Sequence, residues 1–166
     1  MRIYLFIILY VFFFSISSFP HPNAQTISMS MTNDTTQSVN LTDTTQSANL
    51  TWTSQSDNLI GTIGDDFMYG GAGFDNITGN EGDDEIDGGV GGDKIIGGAK
   101  QDLIFGGIGN DNITGGDGND DLYGGPGADN MASGKGADFF DCGTGKDIVL
   151  DFNISEGDLR NVKCES

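Results

Sequence analysis

The sequence predicts an all-β fold: a parallel solenoid of nine-residue units, each a tight turn followed by one short strand, with a short C-terminal cap. Three observations carry this. A nine-residue period runs from Trp52 to Leu150 through eleven units without insertion or deletion, clearest in GGAGFDNIT (70–78), GGVGGDKII (88–96), GGIGNDNIT (106–114), GGDGNDDLY (115–123) and GGPGADNMA (124–132). The sixth place of every unit is aspartate and the eighth is apolar. Of the 27 glycines, 26 lie between Gly61 and Gly145.

Each part of the unit has a physical reason. Glycines at places one, two and four permit positive φ and close backbone approach, so the first six residues are expected to turn tightly. Places seven to nine then form a strand. Alternation along a strand sends the eighth side chain to one face and the seventh and ninth to the other. The eighth place reads Leu59, Met68, Ile77, Ile86, Ile95, Ile104, Ile113, Leu122, Met131, Phe140 and Val149, and is expected to face the core. Two units make one coil, and stacked coils build two parallel sheets over a thin aliphatic core.

Every second turn then falls on the same edge. One edge carries Asp57, Asp75, Asp93, Asp111, Asp129 and Asp147; the other carries Asp66, Asp84, Asp102, Asp120 and Asp138. Neighbours on an edge are about 4.8 Å apart, one inter-strand spacing. Carboxylates that close repel and raise one another's pKa unless cations lie between them. Hard oxygen donors in a loosely shaped turn favour calcium over magnesium or zinc. Nine same-edge pairs set an upper limit of nine sandwiched ions. WTSQSD lacks all three turn glycines, which makes Asp57 the weakest candidate ligand.

The pattern GGxGxDxUx, where U is apolar, resembles the haemolysin-type calcium-binding repeat of the repeats-in-toxin (RTX) proteins. The resemblance covers 61–150 closely and 52–60 loosely. It implies a right-handed parallel β-roll with calcium between turns of successive coils, bound by the sixth-place aspartates and by backbone carbonyls of the glycine turns. Carried over residue by residue, those carbonyls belong to Gly71, Gly73, Gly89, Gly91, Gly107, Gly109, Gly116, Gly118, Gly125 and Gly127. Loop 97–102 departs from the pattern, with Lys100 where glycine is expected. Many relatives carry the repeats behind a large catalytic or pore-forming region; here an N-terminal signal precedes them, and toxin or hydrolase activity is not carried over.

Composition narrows the function further. Asp and Glu number 25 against 7 Lys and Arg, a net charge of −18, which argues against nucleic-acid backbones and anionic membranes. Two cysteines and one histidine leave no zinc cluster or His-based catalytic set, and no small-molecule substrate is evident. Residues 1–24 read as a signal peptide: Arg2, the apolar run Ile3–Phe14, small residues, then Ala24. An uncleaved anchor is the rival reading, so the chain is expected to be secreted or held at the cell surface. In an oxidising compartment Cys142 and Cys164 are expected to form a disulfide. Six Asn-x-Ser/Thr triplets, at Asn33, Asn40, Asn49, Asn76, Asn112 and Asn153, are candidate glycan acceptors.

The flanks are less regular. Residues 25–51 read either as a Ser/Thr-rich linker or as degenerate metal-free repeats, since DTTQSVNLT (34–42) and DTTQSANLT (43–51) keep Leu41 and Leu50 at the eighth place without the aspartate. Trp52 would suit a lid on the open end. Residues 151–166 are no longer periodic; Phe139, Phe140 and Phe152 are expected to cover the last coil, and Asp151, Glu156 and Asp158 read as solvated acids or one further ion site. The functional expectation is an exported calcium-binding module, structural or adhesive, with cell-surface or envelope components as partners. A small enzyme and an ice-binding protein on the same solenoid are the alternatives. The aspartates are equivalent by repeat, so no acid and base can be told apart, and the ninth place shows no regular Thr or Asn rank.

Overall fold

The computed structural model describes residues 27–30, 38–40, 48–51, 54–161 and 164. The expected signal segment and Trp52 lie outside them. Among the described residues every regular element is a strand. In chain order these are β1 (Ile27–Ser30), β2 (Ser38–Asn40), β3 (Ala48–Thr51), β4 (Asn58–Ile60), β5 (Phe67–Gly73), β6 (Asn76–Glu81), β7 (Glu85–Gly91), β8 (Lys94–Ala99) and β9 (Leu103–Ile108). There follow β10 (Asn112–Asp117), β11 (Asp121–Tyr123), β12 (Pro126–Gly127), β13 (Asn130–Lys135), β14 (Phe139–Asp141), β15 (Thr144–Gly145), β16 (Ile148–Val149) and β17 (Leu159–Arg160).

The strands sort into two stacked parallel sheets. The first has the order β1-β3-β5-β7-β9-β11-β14-β17 and the second β16-β13-β10-β8-β6-β4-β2, with β12 and β15 pairing separately. Phe67 stands beside Glu85 and Glu85 beside Leu103; Asn76 stands beside Lys94 and Lys94 beside Asn112. The register is thus two nonapeptides per coil. This is a parallel β-solenoid, the fold class the repeat predicts.

The eighth-place side chains fill the space between the sheets. Leu59, Met68, Ile77, Ile86, Ile95, Ile104, Ile113, Leu122, Met131 and Phe140 are all fully buried, and Val149 and Phe152 pack against them. Each buried side chain of this kind contributes about 1.5–3 kcal/mol. The core is one residue thick on each sheet, so no repeat is stable apart from its neighbours.

The two outer faces differ. The first sheet turns Tyr69, Asp87, Phe105 and Tyr123 outward in register, with the Phe105 and Tyr123 rings stacked at 4.9 Å. The second turns out Asn58, Asn76, Lys94, Asn112 and Asn130, where Asn76 Nδ2 donates to Asn58 Oδ1 at 2.8 Å. The ninth-place sequence looks irregular because it interleaves these faces.

The strands are longer than expected. β5, β7 and β9 run on from the seventh place through glycines that the sequence assigns to turns. Those glycines pair across coils, Gly71 with Gly89 and Gly89 with Gly107. Such pairing works only without a side chain. Gly91 has φ +151, and a Cβ there would collide with the Gly73 carbonyl oxygen. Where glycine is missing, Lys100 takes the left-handed φ of 81 and donates its N–H to Asp117 O at 2.6 Å. The turn survives, at a cost of about 1–2 kcal/mol for a non-glycine residue.

Strands continue into both flanks. In residues 25–51, β3 pairs with β5 and places Leu50, buried, beside Met68. β2 pairs with β4 at a larger offset, so Val39, and not the expected Leu41, stands beside Leu59. A slip of two residues keeps the same face inward, which is why either register satisfies the pattern.

At the other end the expectation of a non-periodic tail is corrected. β17 pairs with β14, placing Leu159 beside Phe139 and Arg160 beside Phe140. NISEGDLRN (153–161) is therefore a degenerate twelfth unit, displaced by the insertion of Asp151 and Phe152. Arg160 occupies its eighth place, where every other unit is apolar, and its guanidinium lies 4.9 Å from the Phe152 ring centroid. A charge at that place ends the core. The expected lid is also revised: Phe152 packs on Phe140 at 6.2 Å, but Phe139 points outward against Tyr123 at 5.9 Å. The expected Cys142–Cys164 disulfide is present and pins the tail to the last repeat.

Candidate metal centre

The turns bring the sixth-place aspartates into two columns, and all eleven, Asp57 through Asp147, are buried. Each pair one coil apart makes the same contact: the backbone N–H of the earlier aspartate donates to Oδ1 of the later one. On one edge these are Asp57 to Asp75, Asp75 to Asp93, Asp93 to Asp111, Asp111 to Asp129 and Asp129 to Asp147, at 2.7–3.0 Å. On the other they are Asp66 to Asp84, Asp84 to Asp102, Asp102 to Asp120 and Asp120 to Asp138, at 2.8–3.0 Å. All nine same-edge pairs are in contact, including Asp84 and Asp102 beside Lys100.

The second oxygen has a different fate. Oδ2 of Asp75, Asp84, Asp93, Asp102, Asp111, Asp120, Asp129 and Asp138 is buried with no hydrogen-bond partner. A buried acceptor without a donor is costly, and a buried charge more so. Seven of them, all but that of Asp138, whose repeat begins with Ser133, fold back over the first glycine of their own repeat. At Gly106, an added Cβ would lie 2.7 Å from Asp111 Oδ2 and 2.7 Å from the carbonyl oxygen of Gly124 in the next coil. At Gly88 the equivalents are Asp93 Oδ2 at 2.8 Å and Gly106 O at 2.5 Å. A carboxylate oxygen without a donor and a carbonyl oxygen, that of Gly124 also accepting the Gly107 N–H at 3.1 Å, thus face one small space that glycine leaves open. That donor set fits a hard divalent cation.

The ten turn carbonyls named from the resemblance all face the following coil. Those of Gly71, Gly73, Gly89, Gly91, Gly107, Gly109, Gly116, Gly118, Gly125 and Gly127 are the nearest atoms to a Cβ placed on the glycine one coil later. The Gly125 carbonyl also accepts the Thr144 N–H at 2.9 Å. Among the described residues no three His, Cys, Asp or Glu side chains cluster. A cation here must draw on paired carboxylates and backbone carbonyls together.

Burial pushes Asp75, Asp84, Asp111 and Asp120 up to about 6 and Asp102 to about 7, and raises Asp93 and Asp129 as well. The hydrogen bond from the preceding aspartate opposes the rise, and repulsion from neighbouring acids adds to it. A carboxyl raised in the folded state holds its proton there when the unfolded chain, near 3.8, has lost it. Folding stability of the calcium-free chain therefore falls as pH rises from about 4 to about 7. Metal-free protein should gain β-sheet circular dichroism on acidification through that window. A β signal that stays flat or declines on the way down would refute the claim that burying these ionised carboxylates opposes folding.

Two features escaped the sequence. Asp66 differs from its neighbours because Thr62 donates to its Oδ2 from both N–H, at 2.6 Å, and Oγ1, at 3.1 Å. The fifth place forms a second, exposed rung: Asp65, Asp83, Asn110 and Asn119 side chains accept N–H groups of Asp83, Gln101, Ala128 and Ala137. Its signal was the recurrence of Asp or Asn at that place.

Comparison with known families agrees with this geometry. Four overlapping copies of the RTX calcium-binding nonapeptide-repeat model match residues 60–95, 87–122, 96–131 and 114–149. The chain belongs to the RTX calcium-binding nonapeptide-repeat family. The solenoid is accordingly an RTX β-roll, and its repeat is a calcium-binding unit rather than a catalytic one. No curated protein matched the chain.

Proposed function

We propose that this chain is an exported RTX module that takes up several calcium ions and acts as a calcium-stiffened structural or adhesive element at a cell surface. The observation that carries the reading is the set of eight buried, unpartnered Oδ2 atoms, seven of which share the space over a turn glycine with a carbonyl of the next coil. Asp75, Asp84, Asp93, Asp102, Asp111, Asp120 and Asp129 each have a ladder partner on both sides and would serve two neighbouring sites, with Asp57, Asp66, Asp138 and Asp147 towards the ends. The turn glycine carbonyls would complete the shell. Bound calcium supplies the charge these carboxylates lack in the fold. The residues fix the oxygens in register, exclude competing donors and tie each coil to the next.

Export is supported by the Ile3–Phe14 apolar run and by the disulfide, and a cell-surface or envelope component is the fitting partner. Among the described residues, Asn76 and Asn112 are exposed on the second sheet and are accessible candidate glycan acceptors. A catalytic reading gains no support, because Asp75 through Asp129 share one environment and offer no distinct acid and base.

The ladder makes a graded mutational prediction. Asp111 contacts both Asp93 and Asp129, whereas Asp57 begins its column of aspartates. Asp111→Ala should lower calcium capacity by two sites and Asp57→Ala by at most one, read by calorimetric titration of each full-length variant. Equal losses would contradict sharing of each aspartate between neighbouring sites.

A further inference from the structure

The repeats supply eleven ladder aspartates, but the ladder has a twelfth member. Asp158 lies in the C-terminal tail, outside the matched repeats, and is only 2% exposed. We propose that Asp138 and Asp158 form a terminal divalent-cation site in which the degenerate unit of the tail, beyond the matched repeats, supplies the closing carboxylate. The proposal rests on the calcium reading above and extends it beyond the repeat motif.

The geometry repeats the ladder contact. Asp138 N–H donates to Asp158 Oδ1 at 3.2 Å, as each repeat aspartate does to the next. Asp138 Oδ1 is already committed to the preceding coil, where it accepts the Asp120 N–H at 2.9 Å. Its Oδ2 is the oxygen left outside that contact. That oxygen is buried and has no partner, and Ser133 Oγ of the same repeat is also buried and unpartnered. The two ion pairs among the described residues, Lys100–Asp65 and Lys135–Asp117, lie elsewhere and neutralise neither carboxylate.

The tail is built to hold Asp158 in place. Asn153 N–H donates to its Oδ2 at 2.6 Å, which orients the carboxylate and leaves lone pairs on both oxygens. Leu159 N–H bonds Asp138 O at 2.7 Å and Asn161 N–H bonds Phe140 O at 2.8 Å. Beyond them the Cys142–Cys164 disulfide fixes the end of the segment to the last repeat. Asp151 takes no ladder position; its oxygens accept the N–H groups of Ser133 and Gly134. Glu156 is exposed. Of the three acids among the described tail residues, Asp158 alone is placed as a ligand.

The test is calcium stoichiometry of the full chain, disulfide intact, by calorimetry and metal analysis. Asp158→Asn keeps the shape and the Oδ1 acceptor, and should bind one ion fewer than wild type. Glu156→Gln should match wild type. Asp158→Glu keeps an ionised oxygen at a changed reach and should retain the count with one ion held more weakly; it serves if the Asn variant does not fold. Unchanged stoichiometry and affinity in the Asp158 variants overturns the proposal, even if they melt earlier, because Asp158 is then a structural cap alone. A wild-type chain that takes up no calcium would instead bring down the calcium reading and this site with it.

Discussion

Stripped of divalent cations at neutral pH, with the disulfide intact, the chain is expected to lose most of its β-sheet. Each nonapeptide contributes one core side chain, so the hydrophobic gain per residue ordered is small. Against it stand two columns of buried aspartates, in which burial raises Asp75, Asp84, Asp111 and Asp120 to about 6 and Asp102 to about 7, so that ionising them at neutral pH opposes folding. Eight of their oxygens have no donor. Cation binding confined to the folded turns adds linkage free energy at every occupied site and removes the repulsion. Far-ultraviolet circular dichroism of metal-free protein should show loss of the β signal and its cooperative return on adding calcium. A β spectrum indifferent to the metal would mean that the aliphatic core and the Cys142–Cys164 link suffice.

Gly109→Ala is expected to be among the most damaging single substitutions, lowering stability by about 4 kcal/mol or more. Gly109 has φ +154, a region that side chains rarely enter, and its new Cβ would collide with the Gly91 carbonyl oxygen in the coil below. The strain cannot be relieved locally, because Gly109 N–H also bonds Pro126 O at 2.9 Å in the coil above. Gly92→Ala is the control: it lacks the positive φ, and its Cβ would meet Asn110 O at 3.1 Å and the exposed, movable Phe74 ring at 3.2 Å. Melting in saturating calcium compares the two. Similar midpoints would show that the central coils tolerate side chains where the backbone contacts say they cannot.

The fold was legible because two columns obey one period. An apolar residue at the eighth place and aspartate at the sixth fix which side chains point inward and which turns stack, and the structure places Ile77, Ile95 and Ile113 in one inward column accordingly. Glycine was harder to read. Its sequence signal is freedom to turn, yet at Gly89 and Gly107 it serves strand pairing too close for a Cβ. The flanks hid for a different reason. Two inserted residues, Asp151 and Phe152, shift NISEGDLRN out of a strict nine-residue frame, although a slip of two leaves the inward face unchanged. Asp158 therefore looked solvated in the sequence and is buried in the fold. The ninth place misled because one nonapeptide is half a coil: Tyr69, Phe105 and Tyr123 share one face, while Thr78 and Thr114 share the other.

The central claim is that paired aspartates of successive coils hold calcium between them. The most direct measurement is the calcium content of the full chain after equilibration and desalting, with calorimetric titration to give the number of sites. The nine repeat contacts and the Asp138–Asp158 contact set the ceiling, and the account predicts several ions per chain, taken up together with the β signal. One ion or none, in a chain that is nevertheless folded, would contradict it.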